Sequence, residues 1–346
     1  MISYFKFSEQ NQYDLDTIHR FNDEFFPQRK PHKEYDVYRF LDNPFSAEKL
    51  DYLYGVEKAG EYVAQMLTMP SALTLNEKQI PVFWGQDYFV KESSRGEGIG
   101  KELANYYLSN DYYIAVGFSP KSAIIHQKMG ARKIGYLDLY TKWASPFHRF
   151  KFLLERGMKR KPKHVSAYEF PEKTMGFTRI HSSSELHLPE LSWNENVIAS
   201  IRTKEYFQWR FFYKSNRYFV YQNIIDQQEN AIYFVAKPYF YKGVNWLKVI
   251  DYRFNLNDPS QFEKILKGIN AICKELNLYG LMLPSSQKIT ENVLLRKGFL
   301  RQKHQVVLTT FPFDFEEIEE SHDQFVISFA DSDQDMHNYL GKFNYG

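Results

Sequence analysis

Apolar residues first recur at helical spacing over Asp14–Phe26, where Leu15, Ile18, Phe21 and Phe25 alternate with polar positions. A second short helix is expected over Tyr35–Leu41. Asn43-Pro44 stops it, because proline pushes the residue before it out of the helical region. The pattern then changes. Leu50–Glu57, Tyr62–Thr68 and Pro81–Lys91 are rich in Tyr, Val and Phe and predict strands. The glycine-rich run Ser93–Gly100 follows, then a helix over Lys101–Ser109 and a strand over Tyr112–Gly117. Ser119–Met129 predicts a helix closed by Gly130, the left-handed residue that ends many helices. Ala131–Lys142 predicts one last strand, and Pro146–Gly157 is amphipathic. It leads into the basic run Met158-Lys159-Arg160-Lys161-Pro162-Lys163-His164. That run reads as a linker: a solvated connector, or a patch that attracts an anionic substrate or membrane headgroups.

The second half echoes the first. Tyr38-Arg39-Phe40 returns as Trp209-Arg210-Phe211, Asp87-Tyr88-Phe89-Val90 as Asp251-Tyr252-Arg253-Phe254, and Lys128-Met129-Gly130-Ala131 as Arg296-Lys297-Gly298-Phe299. The three landmarks keep their order at offsets of 164 to 171 residues, which predicts two copies of one α/β unit. The copies differ in one place. After Val90 the first has its glycine loop, whereas the second has Asn255-Leu256-Asn257-Asp258-Pro259-Ser260 without a glycine.

Composition narrows the classes. A chain of 346 residues, 43% hydrophobic and 25% charged, is globular and long enough for two domains. A formal net charge of +2 lacks the basic excess of a dedicated nucleic-acid binder. The single Cys273 forms no internal disulfide and supplies no cysteine-rich metal site, and it falls in a helix-like run as expected core. The ten histidines form no ligand cluster, so no metal is expected. No signal peptide is visible, and no uncharged apolar run approaches the about 18 residues a membrane span needs. A cytoplasmic protein is expected. The 26 Tyr, 30 Phe and 5 Trp are expected mostly in the core.

The candidate chemistry lies in Arg95-Gly96-Glu97-Gly98-Ile99-Gly100 and Lys101, between a strand and a helix. Glycines there admit positive φ and close approach, and the free amides of a helix start attract an anion. A phosphate loop of the Gly-Lys-Ser/Thr type needs a hydroxyl where Glu102 stands. A dinucleotide fingerprint needs Gly-x-Gly-x-x-Gly and should open the first βαβ unit. The segment instead resembles motif A of the GNAT acetyltransferases, as Arg95-x-x-Gly98-x-Gly100 with Val90 before it and Leu103 after it. Ala115-Val116-Gly117-Phe118-Ser119-Pro120, followed by Ser122, Lys128, Gly130 and Ala131, resembles that family's motif B. The Gly-Phe-x-x-x-x-Ser segment, the Trp-Arg-Phe element and the doubled unit look more specifically like tandem-GNAT proteins of bacterial surface-polysaccharide pathways.

The resemblance implies a mixed-sheet α/β fold of two tandem GNAT-like units, the second lacking the pyrophosphate loop. Residues 1–145 would hold an acetyl-CoA site, 146–165 a linker, and 166–346 a degenerate copy that shapes the acceptor site. It implies that the loop from Arg95 to Lys101 binds the pyrophosphate of acetyl-CoA. Tyr88, Phe89 and Val90 would support the pantetheine arm, with Ser119 and Ser122 nearby. The implied activity is acetyl transfer to a small amine, an amino sugar being favoured. Many relatives carry a tyrosine acid four residues before the motif-B glycine, where this chain has His126. An imidazole can do that work, or His126 is simply a surface residue. Asp87 is either a base near the thioester or, since Asp251 echoes it, a structural residue common to both copies. Tyr38, Asn43, Trp209 and Arg210 are candidate walls of the acceptor site, or core. The acidic stretch after Pro312 is expected to be a solvated face. Two alternatives stand beside this reading: a Fem-type transferase using aminoacyl-tRNA, and a non-catalytic CoA-binding scaffold.

Overall fold

The computed structural model describes residues 1–9, 12–27, 31–46, 50–75, 78–108, 112–117, 120–155, 168–188, 197–213, 218–226, 230–241, 243–309 and 325–332. Contacts divide the chain into two compact units. The first is Met1–Tyr136 with Ile198–Ile201 and Gln305–Gln324; the second is Leu137–Val197, Arg202–His304 and Phe325–Gly346. The basic run 158–164, the acidic residues 314–320 and Ser119 lie outside the described residues.

The elements run β1 (Ile2–Lys6), α1 (Leu15–Phe25), α2 (His32–Phe40), β2 (Tyr54–Lys58), β3 (Glu61–Leu75), β4 (Lys78–Val90), α3 (Ile99–Leu108), β5 (Tyr113–Val116), α4 (Pro120–Lys128), β6 (Arg132–Tyr136), β7 (Asp138–Trp143) and α5 (Pro146–Glu155). They continue with β8 (Lys173–Thr174), β9 (Phe177–Ile180), β10 (Ile198–Ser200), α6 (Lys204–Arg210), β11 (Phe219–Ile224), β12 (Ala231–Tyr241), β13 (Val244–Arg253), α7 (Pro259–Glu275), β14 (Gly280–Ser285), α8 (Lys288–Arg296), β15 (Leu300–Lys303) and β16 (Val306–Thr309).

The first sheet has the order β1-β2-β3-β4-β5-β16-β6, with β10 along β3. Its pairs are antiparallel except β4 with β5, which is parallel. One face buries Val56, Leu103, Tyr107 and Tyr113 under α3, and the other buries Phe5, Ile18, Phe21 and Phe40 under α1 and α2. Asp14 caps α1 by accepting from the Thr17 amide at 3.0 Å, which places the start of that helix. The second sheet has the order β15-β7-β14-β13-β12-β11-β9-β8, again with one parallel pair, β13 with β14. Phe234, Leu247, Phe262, Ile265 and Ile269 build its core with α7, and Cys273 is buried among them. Burial pushes that thiol up to about 12, so it is inert packing.

The three sequence echoes occupy matching places. Arg39 and Arg210 sit at the ends of α2 and α6, and Asp87 and Asp251 sit on β4 and β13. After α4 the Ala131 amide reaches back to His126 O, and after α8 the Phe299 amide reaches back to Leu294 O, each at 3.0 Å.

One expectation is corrected here. Ala131–Lys142 is not a single strand. It divides at Leu137 into β6, in the first sheet, and β7, which lies between β14 and β15 of the second. The exchange is reciprocal, since β16 from the second copy's sequence lies between β5 and β6. Alternating apolar residues serve either sheet equally, so the local pattern continues across a change of partner. Two smaller differences are β1, which the sequence reading lacked, and β3 with β4, which run as one long hairpin from Glu61 to Val90.

Candidate donor site in the first unit

The site begins where β4 leaves β5. Their ladder holds only Phe83 opposite Tyr113 and Trp84 opposite Ile114, while β4 continues to Val90. A bulge in the β3–β4 pairing lies just beyond that ladder. Gln65 pairs with Phe89 and Leu67 with Gln86, so Asp87 and Tyr88 together oppose Met66. Asp87 sits there at φ +45°, a left-handed conformation that costs a side-chain-bearing residue about 1–2 kcal/mol. The second unit repeats the device. Its parallel ladder holds Leu247 opposite Leu281 and Lys248 opposite Met282, and β13 bulges just before Asp251.

The bulge in β4 is held by a buried ion cluster. Arg39 of α2 donates to Asp87 Oδ2 at 2.9 Å, to Gln86 Oε1 at 2.6 Å and to Asp36 Oδ1 at 2.5 Å. One guanidinium therefore ties the strained turn to the helix. Such a group must be paired, because an isolated buried charge costs several kcal/mol. Asp251 has the same kind of partner, with Arg202 Nε at 2.7 Å, Arg253 at 3.1 Å and the Tyr233 hydroxyl at 2.9 Å. Burial alone would raise the Asp251 carboxyl, but the guanidiniums outweigh it and hold it at about 2.

The loop follows β4. Gly96 and Gly98 have φ of +87° and +83°, and a Cβ built on either would meet no atom within 4 Å. Both therefore border open space. Gly100 is different: a Cβ there would come within 2.7 Å of the Tyr88 hydroxyl, which donates to Gly100 O at 2.6 Å. Tyr88 thus fastens the start of α3 to β4. Beyond it, the first-turn amides of α3 have no carbonyl one turn earlier to accept from them, and they form an anion-binding helix end. Arg95 donates to Val90 O at 3.1 Å, Glu97 pairs with Lys58 at 2.6 Å, and Lys101 is exposed. Ile99 contributes only main chain, because its side chain is core. Phe89 packs with the cluster under α1, opposite to Tyr88 and Val90, as strand alternation requires.

These residues suit a CoA thioester: open space at the glycines, first-turn amides that lie outside the ladder of α3, and a β4 edge that, among the described residues, carries no ladder to β5 beyond Trp84. The second unit does not offer the same seat. Asp258 caps α7 by accepting from the Ser260 amide at 3.0 Å, and Gln261 accepts from the Asn255 amide at 2.9 Å. Beyond β13 and β14, chain segment 325–328 enters that unit's cleft. Ser286 Oγ holds both main-chain groups of Ile327 at 3.0 Å, and Gln287 donates to Phe325 O at 2.6 Å.

His126 is not a surface residue; it is 1% exposed. Burial pushes the Tyr107 phenol far above its usual range, and its hydroxyl shares a hydrogen bond with His126 Nε2 at 2.5 Å. The imidazole lies nearly parallel to the Tyr113 ring, with centroids 5.7 Å apart, and edge-on to Tyr88 at 5.9 Å. The sequence reading missed this tyrosine cage, as well as Gly85, where a Cβ would strike the Tyr113 ring. It named the Tyr38-Arg39-Phe40 element but picked Tyr38, whereas Arg39 makes the link to the site.

The four candidate wall residues are buried, with internal contacts. Asn43 donates to Pro70 O at 2.9 Å and accepts from the Phe45 amide at 3.0 Å. Arg210 donates to the carbonyls of Ala330 and Ser332 and to the Tyr218 hydroxyl. Trp209 packs edge-on against Tyr206, and Tyr38 is 3% exposed. Nothing is described for the Ser122 side chain. Among the described residues, no group of three His, Cys, Asp or Glu is placed to hold a metal, and no helix is long and apolar enough to cross a membrane.

No protein-family model and no curated protein matches this sequence. Solved structures do match. A GCN5-related N-acetyltransferase from Anabaena variabilis aligns with a TM-score of 0.56 over 89% of this chain and 72% of its own, at 12% identity. N-myristoyltransferase from Saccharomyces cerevisiae, with bound myristoyl-CoA, aligns with a TM-score of 0.51 over 94% of this chain and 89% of its own, at 13% identity. A probable N-acyltransferase from Enterococcus faecalis V583 gives 0.55 over 89% and 72%, at 10% identity. At these identities the likeness is one of fold. This chain has the mixed α/β fold of the GNAT-type acyltransferases.

Proposed function

We propose that this protein is an acyltransferase that moves the acetyl group of acetyl-CoA to the amine of a small molecule. The observation that carries the reading is the opened β4 edge leading into the Arg95-x-x-Gly98-x-Gly100 loop and the free amides of α3. In this reading residues 1–145 supply the donor site, 146–165 connect, and 166–346 serve the acceptor. Acetyl-CoA supplies an activated acyl group as a thioester. Amides of the loop hold its pyrophosphate, and main-chain amides of β4 beside the bulge polarise the carbonyl under attack. The acceptor's ammonium gives one proton to water and its amine attacks the carbonyl. As the C–S bond breaks, His126, held through Tyr107, protonates the leaving sulfur and regains a proton from the new amide nitrogen, while Asp87 keeps the bulge in shape. Supporting the acceptor as an amino sugar, free or nucleotide-linked, is the sequence resemblance to surface-polysaccharide proteins. The single buried cysteine suits the cytoplasm.

One observation favours a second reading, a non-catalytic CoA-binding protein: both Asp87 and His126 are engaged internally. Calorimetry and thiol release separate the two. The transferase reading expects one acetyl-CoA per chain, bound in the first unit, and free CoA thiol released with an amino-sugar panel. His126→Phe is expected to keep acetyl-CoA affinity and lose turnover by about a hundredfold or more. Binding without thiol release from any amine establishes the second reading. No binding by the folded chain overturns both.

A further inference from the structure

Helix α5 leaves most of its large apolar side chains outside. An ordinary surface helix turns charged residues outward and packs its apolar stripe inward. On α5 the residues packed inward include His148 and Phe152, one turn apart. Ser145 donates to His148 Nδ1 at 2.8 Å and His148 Nε2 donates to Asn277 Oδ1 at 3.1 Å, while Phe152 lies 5.2 Å from Trp143 between ring centroids. Those contacts fix the rotation of the helix. Phe147, Phe150, Leu153 and Leu154 are then left facing outward, at 66%, 59%, 55% and 68% exposure. Phe147, Phe150 and Leu154 follow the i, i+3, i+7 spacing of a single stripe, with Leu153 beside them. Single exposed apolar residues need no explanation, but four on one fixed helical face form a patch.

Charge says what the patch meets. By helical spacing Lys151 borders the stripe on one side and Arg149 on the other. Lys151 lies over the Tyr279 ring at 5.8 Å, and Arg149 is exposed. Further cations lie near the start of the helix. Lys142 is on the preceding strand, close enough to Lys297 and Lys274 that, after burial, their charges lower its ammonium. Lys274 is three residues before Asn277, the partner of His148. In sequence, Glu155 is the sole acid between Ala144 and Tyr168, against seven Lys and Arg. An apolar stripe with basic margins, on a helix far too short to span, is the make-up of a helix that lies in a bilayer interface. Anionic headgroups meet the cations while the phenylalanines enter the acyl boundary.

We infer that the outer face of α5 docks the protein on membranes containing anionic lipid. The test is co-sedimentation of the full chain with vesicles of phosphatidylcholine alone and of phosphatidylcholine mixed with phosphatidylserine. Binding is expected only to the mixed vesicles and is expected to weaken as salt is raised. The double variant Phe147→Glu/Phe150→Glu is expected to bind at least about tenfold more weakly, with its melting temperature and its affinity for acetyl-CoA unchanged. Both residues are exposed and remote in sequence from the donor loop, so loss of docking alone isolates this face. Equal partitioning of the variant, or no binding to either vesicle, overturns the proposal. A self-association abolished by the double substitution, without vesicle binding, also overturns it and assigns the face to a second copy of the chain.

Discussion

Gly98→Glu is expected to weaken acetyl-CoA binding by about a hundredfold or more while leaving the protein folded. Gly98 stands at φ +83°, with nothing within 4 Å of a built Cβ. A new side chain therefore meets no steric block and unfolds nothing. It does incur the left-handed backbone penalty, about 1–2 kcal/mol, which disturbs the turn that aims the first amides of α3. The glutamate also brings a carboxylate to a helix start whose partial positive charge attracts an anion. Repulsion of a pyrophosphate by a juxtaposed carboxylate costs several kcal/mol, and each 1.4 kcal/mol is about tenfold in affinity. Gly98→Ala separates the two causes, because it carries the strain without the charge and should lose only about tenfold. Calorimetry on both variants, beside their melting curves, measures this. Wild-type affinity in Gly98→Glu would remove the loop from the donor site and with it the proposed function.

The second large effect is on stability. Arg39→Met is expected to cost about 3–5 kcal/mol, lowering the melting temperature of its unit by about 10 °C. The guanidinium is fully buried and serves Asp36, Gln86 and Asp87 at once. Methionine fills much of its volume but leaves two carboxylates buried without their cation. The pH dependence identifies the cause. Burial already raises the Asp36 carboxyl, with Arg39 pulling the other way, so loss of Arg39 raises it further. A group whose pKa is higher folded than unfolded binds more protons in the folded state. Stability then falls as pH rises through the interval between the two values, and returns below it. The deficit of Arg39→Met should therefore be largest at neutral pH and shrink on acidification through the carboxylate range. Arg39→Lys keeps the charge but not the three-way fork, and should fall between wild type and Arg39→Met. A deficit independent of pH would mean that packing, not charge, is what Arg39 supplies. The same variant reports on the site, since Arg39 fixes the bulge beside which β4 offers its main chain.

Much of the site was legible in the residues because it is local. The loop from Arg95 to Gly100 shows its conformation through glycines, two of them, Gly96 and Gly98, at positive φ next to a helix start. The echoes were legible because both units carry the same rare landmarks, an Asp at a strand bulge and an Arg at a helix end. Illegible were the partners that those landmarks acquire. Arg39 is 48 residues from Asp87, and Tyr107 is 19 residues from His126. No periodicity encodes which buried cation finds which buried anion.

The sequence by itself determined that this is an α/β protein of two related units with one glycine loop. Local preferences and a repeated pattern suffice for that, because turn chemistry and amphipathic spacing act within a few residues. Only the tertiary structure decided where β7 and β16 belong. Each is an apolar strand that either sheet could bury, and the choice is made by backbone pairing over more than a hundred residues: β7 joins β14 and β15, and β16 joins β5 and β6. Only the tertiary structure, too, turned His126 inward and Phe147 and Phe150 of α5 outward. Which side of a helix meets the core depends on what waits beneath it, here Tyr107 and Tyr113 in one case and Trp143 in the other.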